Sequence, residues 1–467
     1  LPVLSYLHFI YLAVIVLVIF LLVIKHDVVV PCIVGLFVIG TCYNGFDIIA
    51  GVQAVFNGMM VAGADLFDIM LVIALMVAML KCLENMGADR LMIAPAAKLF
   101  KSPTMAFWVI AGVMYLCATF FWPTPATALV GTILIPIAMK SGLKPMMACM
   151  ALNLAGHGMA LSGDLVLQGA AALTSSASGV SMEEALVKGG TLATIAGVVA
   201  LGVAFLLYNK EIRTPCEVVV DAKEEAEIDQ NIAAHPKHAK FFAILVPTVF
   251  GIILVRIIVG AAVESVPKIF GGDATALLGG TAAMILILAC AVDSGVSCLE
   301  KIVDYLKNGF MFSIKIFSAV IPIAAFFFTG SAEMAATILG EGAPGFLHEL
   351  GAALGSVLPL NPITLAIGIS AIGCIAGLEG SGFSGIPLVA GLSAALAGPL
   401  GYDVAALAAL GQISSIWVGG GCLSAWAFGL VASAGSAGVP AMELVRKNFI
   451  PVMSGLAVAI LYTAIIM

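Results

Sequence analysis

Four short stretches rich in glycine, serine, threonine and proline hold the residues best equipped for chemistry: Trp122-Pro-Thr-Pro-Ala-Thr127, Asn153-Leu-Ala-Gly-His-Gly-Met-Ala-Leu-Ser-Gly-Asp164, Gly377-Leu-Glu-Gly-Ser-Gly-Phe-Ser-Gly385 and Gln412-Ile-Ser-Ser-Ile-Trp-Val-Gly-Gly-Gly421. The hydroxyls of Thr124, Thr127, Ser162, Ser381, Ser384, Ser414 and Ser415, the amide of Asn153 and the backbone at Gly163, Gly380 and Gly382 are the neutral groups that can hold a small polar solute. Asp164, Glu379 and His157 add groups able to carry a proton, and Asp164 and Glu379 can bind Na⁺. Each has a plainer reading beside it. Asp164 equally suits the N-cap of a following helix, His157 a single satisfied core histidine, and the small residues close helix packing. No Ser/His/Asp arrangement, metal-ligand cluster or phosphate loop stands out, so neither an enzyme nor a cofactor is expected beyond a coupling Na⁺ or H⁺.

The elements that must position these residues are set by composition. Of 467 residues, 62% are hydrophobic and 10% charged, with mean hydropathy +1.16; soluble domains run at about 45–50% apolar and roughly 25% charged. Such a chain needs lipid as its solvent. The clearest apolar runs, Leu4 to Ile24, Ala106 to Phe121, Thr191 to Tyr208, Phe241 to Val263, Ala274 to Val292 and Phe449 to Met467, approach or exceed the about 20 helical residues that cross a bilayer core, and the whole chain reads as roughly ten to fourteen spans. Within lipid an unpaired backbone N–H or C=O costs several kcal/mol unless protein, water or a ligand satisfies it. Broken helices at that depth therefore point to a binding role, with half-helix N-termini favouring an anion.

Residues 209–240 form the one extended polar linker, with 7 of the 27 acidic and 5 of the 20 basic residues. It divides the chain into a first repeat, 1–208, and a second, 241–467. A shift of 259 positions lays Gly179-Val180 on Gly438-Val439, Glu184 on Glu443 and Lys188 on Lys447. Glu184 with Lys188 and Glu443 with Lys447 read as i,i+4 pairs at helix starts. Segment 81–105 carries Lys81, Arg90, Lys98 and Lys101, whereas 340–364 has no Lys or Arg; because cytoplasmic loops collect basic residues, the repeats read as inverted, with the linker in the cytoplasm. Two broken segments per half fit an inverted-repeat carrier. The mixed charge of the linker excludes a nucleic-acid footprint, and the ten cysteines contain no CxxC pair.

Gly63-Ala-Asp65, Met86-Gly-Ala-Asp89, Ser162-Gly-Asp-Leu-Val166, Gly380-Ser-Gly382 and the closing Glu443-Leu-Val-Arg-Lys447 with Pro451 give the chain a plan that resembles the ion transporter superfamily, and more closely the C-type anaerobic C4-dicarboxylate (Dcu) carriers. The resemblance implies an all-α polytopic membrane protein of two inverted-topology repeats, with re-entrant hairpins and discontinuous helices. It implies an elevator-type carrier, a homodimer in the bacterial inner membrane, moving a C4-dicarboxylate such as fumarate, succinate or malate, or a related carboxylate, by H⁺ or Na⁺ coupling or by exchange. A cation/proton antiporter and an amino-acid transporter of the same superfamily are the alternatives. The sequence departs from that family at Pro123-Thr-Pro-Ala-Thr127, and where an arginine is expected near the last break it has Ile416-Trp-Val-Gly419. A dianion then lacks a cationic clamp, and a monocarboxylate or bulkier organic anion becomes competitive.

Overall fold

The computed structural model describes residues 4–23, 26–215, 236–263, 265–267, 269, 272–355, 361–425 and 427–467. Among them the regular elements are all helices. In the first half these are α1 (Tyr6–Val23), α2 (Val29–Tyr43), α3 (Ile48–Asn85), α4 (Ala88–Ala97), α5 (Pro103–Phe121), α6 (Pro123–Lys140), α7 (Pro145–Asn153), the single turn α8 (Leu161–Gly163), α9 (Gly169–Ser178), α10 (Met182–Leu207) and α11 (Asn209–Arg213). In the second they are α12 (Pro236–Ala262), α13 (Gly272–Ser294), α14 (Cys298–Phe328), α15 (Ala332–Leu339), α16 (Phe346–Gly355), α17 (Pro362–Ala376), α18 (Ile386–Ala397), α19 (Val404–Trp417), α20 (Phe428–Ala437) and α21 (Ala441–Ile466).

All six of the clearest apolar runs fold as helices. Among the described residues seven stretches are long and apolar enough to cross a membrane, or up to nine if two sharply bent pairs each count as one span. The expectation of roughly ten to fourteen spans counts shorter apolar runs as well. Several runs instead fold into apolar helices of 10–17 residues, such as α2 and α17, too short to cross alone. Of the expected linker, the ends are helical, in α11 and the start of α12, and 216–235 lie outside the described residues.

Local sequence explains where these helices begin. Ser102 and Asn361 each cap a helix whose first residue is proline, at α5 and α17, and Asn361 forms a reciprocal box with Thr364. Ser181 and Glu184 form the same box at α10, and Asp403 caps α19. Helices starting at 103, 145, 169 and 182 recur at 362, 404, 428 and 441, each 259 residues later.

One apolar core joins α1–α3 with α12–α15, around Tyr11, Leu36, Met79, Phe250, Phe317 and Phe326. A second joins α5–α7, α10, α17, α19 and α21, around Phe107, Met114, Cys149, Ile369, Leu410 and Val452. Trp122, Leu161, Phe383 and Ile416 belong to the first, Trp417 and Cys422 to the second. The glycine-rich stretches thus run along the seam between the two cores.

Candidate functional site

At the first break α5 stops at Phe121 and α6 starts at Pro123, with the turn concentrated in Trp122, at φ 67°. Thr124 and Thr127 consequently stand in the opening turns of α6. The Thr127 hydroxyl is used locally, donating to the Pro123 carbonyl at 2.8 Å, whereas Thr124 Oγ1 is buried with no partner. The second break begins later than its sequence suggests. From Asn153 the helix continues through a π-helical stretch, Leu154–Ala160, and the turn Leu161–Gly163, and leaves helical geometry only at Asp164 (φ 40°) and Gln168 (φ 62°). A widened turn keeps most of the backbone hydrogen-bonded inside the protein, so the glycines bend the helix without ending it. Asp164 Oδ2 accepts the Ala170 N–H at 2.9 Å, which places the carboxylate on the N-terminus of α9.

In the third break a short 3₁₀ turn, Gly377–Glu379, leads into Gly380 and Gly382 before α18 begins. The Glu379 side chain lies outside the described residues, as does Trp426. The fourth break also comes late: α19 passes into a second π-helical stretch, Val418–Cys422, which kinks at Gly421 (φ 125°). Four described non-glycine residues have positive φ, and three of them, Trp122, Asp164 and Gln168, sit in the first half's breaks. Such backbone costs about 1–3 kcal/mol per residue and collects at functional sites.

The breaks converge. Asn153 Nδ2 donates to the Gly421 carbonyl at 2.8 Å and to Ser433 Oγ at 3.1 Å, while its Oδ1 accepts from Asn448 Nδ2 at 2.8 Å. His157 is fully buried, with Nδ1 3.5 Å from Ser433 Oγ and Nε2 unpartnered. Gln412 Nε2 donates to the Ser162 carbonyl at 2.8 Å, and its Oε1 accepts from the Thr174 hydroxyl at 2.6 Å. The third and fourth breaks interlock through Ser415 Oγ, which donates to the Gly382 carbonyl at 2.7 Å. Gly382 is required there: its φ is 79°, and a Cβ would sit 2.8 Å from Ile416 Cα. Trp122 packs on Phe383 with ring centroids 5.3 Å apart, joining the first break to the third.

The structure therefore groups Asn153 and His157 with the fourth break, Ser162, Gly163 and Asp164 near Gln412, and Gly380, Ser381, Gly382 and Ser384 near Ser415. Ser414 pairs with Ser370 at 2.7 Å. Several predicted ligands, Thr127, Ser162, Ser414 and Ser415, spend their hydroxyls on backbone carbonyls. Thr124 differs, lining a cavity of about 370 Å³ with Lys81, Glu84, Asp89, Arg90 and Phe312. Sequence reading passed over Asn448, Ser433 and Thr174 as site residues. Asn448, a carboxamide at the head of an apolar run, was the available signal. Among the described residues no three His, Cys, Asp or Glu side chains gather as a metal-holding group.

The lysines of the expected i,i+4 pairs bond acids far away in sequence instead. Lys188 bonds Asp403 at 2.6 Å, and Glu184 turns back to its cap Ser181. Lys447 bonds Glu211 at 3.0 Å and lies 4.4 Å from the Tyr208 ring centroid. Capping uses Glu184 better than an exposed pair would, since such pairs contribute about 0.3–0.5 kcal/mol.

No protein-family model matches the chain. Among solved structures, it is similar to the YdaH transporter of Alcanivorax borkumensis, with a TM-score of 0.56 and 14% identity over 89% of this chain and 88% of that one. It also matches Neisseria gonorrhoeae MtrF, of a class of antimetabolite efflux pumps, at a TM-score of 0.48 and 14% identity over 84% and 80% of the two chains. The YdaH likeness is one of fold. Sequence similarity is far stronger to the membrane protein YhfA of Bacillus subtilis (strain 168), 36% identical over 462 residues and 97% of both chains. That identity, spread over almost the whole of a many-helix apolar chain, makes this a membrane protein of the YhfA family.

Proposed function

We propose that this chain is a secondary carrier that moves a small organic anion, a carboxylate, across the bacterial inner membrane by H⁺ or Na⁺ coupling or by exchange. The observation that carries the reading is the meeting of four helix breaks at the seam between two apolar cores, with positive-φ backbone at Trp122, Asp164 and Gln168. Strain and buried polar groups at membrane depth persist where function needs them. The fold shared with a protein described as a transporter supports the same reading. The 259-residue recurrence of helix starts, together with the basic bias of 81–105 over 340–364, supports two inverted repeats. In this reading Asp164 couples the ion, one core moves against the other as an elevator, and the carrier works as a homodimer.

The test is uptake of radiolabelled acids by proteoliposomes holding the purified full chain, with H⁺ and Na⁺ gradients imposed separately. Saturable accumulation or exchange of at least one acid is expected. If no acid moves, the reading fails. A cation/proton antiporter has its own support in the buried Asp164 and the unpartnered Nε2 of His157; Na⁺-dependent proton movement without organic solute would select it.

A further inference from the structure

The cavity beside the first break is built from three directions. Between Met70–Asn85 and Ala88–Ala96 the chain bends by 84°, with Gly87 at φ 74° in the turn. The bend sets Lys81 and Glu84, at the end of α3, beside Asp89 and Arg90, at the start of α4. Thr124 and Pro125 face them from the first turn of α6, an 18-residue helix whose N-terminus has no side-chain cap. Leu80, Leu129, Ile133 and Phe312 form the apolar wall.

The four charges in this cavity are not equally engaged. Lys81 holds Glu84 at 2.6 Å, and Asp89 Oδ1 accepts the Arg90 backbone N–H at 2.7 Å. The Arg90 guanidinium attracts the Asp89 carboxylate but makes no salt bridge within about 4 Å among the described residues, and its Nη1 is buried without a hydrogen-bond partner. Thr124 Oγ1 is buried in the same condition. The open valences are thus a cationic donor and a hydroxyl, next to the positive end of a helix. Leaving such groups desolvated and unpaired is unfavourable, more so for a charged one. An anionic head group removes that cost. Leu129 also lines a neighbouring apolar cleft of about 270 Å³, with Phe120, Phe121 and Phe250.

We infer that this cavity binds the head group of an organic monoanion, a carboxylate with an apolar body, through Arg90 and Thr124, with the body lying along Leu129 towards the phenylalanine cleft. Glu84 and Asp89 limit the site to one negative charge, because a second carboxylate would meet them at close range. They do not select an amino acid, because each already holds a donor. A guanidinium and a hydroxyl give the directed donors that orient a carboxylate. The inference rests on the carrier reading and narrows its substrate from small carboxylates in general to apolar monocarboxylates.

The test is calorimetric titration of the purified full chain with cyclohexanecarboxylate, its neutral carboxamide, succinate and leucine. The monocarboxylate is expected to bind saturably, at least tenfold tighter than the other three. Arg90→Gln should weaken it by at least tenfold, Arg90→Lys by less, and Thr124→Val by severalfold; Thr124→Val leaves the guanidinium intact and guards against a folding defect at Arg90. Absence of monocarboxylate binding, equal binding of acid and amide, preference for succinate or leucine, or unchanged affinity in monodisperse Arg90→Gln protein would each overturn the assignment. Acids that still move in proteoliposomes with Arg90→Gln at the wild-type rate would sink this site alone. A wild-type chain that moves no acid would sink the carrier reading.

Discussion

Leu154–Ala160 and Val418–Cys422 are both π-helical, and both continue helices that start 259 residues apart, α7 and α19. The two segments diverge at their C-terminal ends. After the first the chain turns at Asp164, whose carboxylate takes the N–H of Ala170 at the start of α9. After the second it turns at Gly421, whose carbonyl takes the amide of Asn153, and α20 starts without a side-chain cap. His157 puts a base in the first segment and Asp164 puts an acid four residues beyond it, whereas the second holds three glycines, Val418 and Cys422. Titratable side chains thus lie in and just after one π-segment, and the other meets them with backbone groups.

The comparison can be broken most severely at its junction. Asn153→Leu would leave the Gly421 carbonyl in the buried seam without its amide donor, at about 1–3 kcal/mol, and would take one hydrogen bond each from Ser433 and Asn448, which keep Gly429 and Cys422. Loss of monodisperse protein, or a large drop in melting temperature in detergent, is expected; a wild-type melting curve would show that the segments do not depend on each other. Next in size is glycine replacement. Gly382→Ala must push the third break off Ile416 and adopt a positive φ, for about 1–3 kcal/mol. Gly163→Ala meets nothing closer than Ala193 Cβ at 3.2 Å and should melt within a few degrees of wild type. Asp164→Asn keeps an acceptor for the Ala170 N–H, so stability should change by about 0.5 kcal/mol or less, in contrast to Asp164→Leu, which removes the cap and should cost about 1 kcal/mol.

The smallest effect lies outside the spans. Partial burial raises the Asp403 carboxyl, but the Lys188 hydrogen bond and the Ala406 N–H outweigh it and hold Asp403 below the usual carboxylate range. A depressed folded-state value stabilises above the unfolded value and is lost as pH falls through the folded one. Lys188→Ala should therefore lower the melting temperature slightly at neutral pH, by about 0.2–1 kcal/mol of stability. The gap to wild type should close below pH about 3.9, the ordinary carboxylate value. A gap that widens towards acid would contradict this.

Much of the architecture was legible because lipid leaves few choices: an apolar run must be helical, and Ser102-Pro103, Asn361-Pro362 and Ser181 mark where helices start. The break positions were less legible. Glycine-rich strings such as Asn153 to Gly163 read as interruptions, yet buried backbone keeps its hydrogen bonds by widening into a π-turn, and the chain leaves the helix only at Asp164. Partners across the fold were out of reach as well. Lys188 and Glu184 sit at pairing distance in sequence, but Ser181 claims the glutamate and Asp403 the lysine. Arg90 lies 34 residues before Thr124, and only the bend at Gly87 and the turn at Trp122 bring both to one cavity. Asn153 was recognisable as a polar residue in an apolar setting, while its role as the hub between the two π-segments required the fold.

The proposed role of Asp164, coupling an ion to the movement of an organic acid, is tested most directly in proteoliposomes of the full chain, wild type against Asp164→Asn. Both should exchange labelled acid for unlabelled acid across the membrane, and only the wild type should accumulate it under an ion gradient. Accumulation by both proteins, or exchange by neither, would contradict the account.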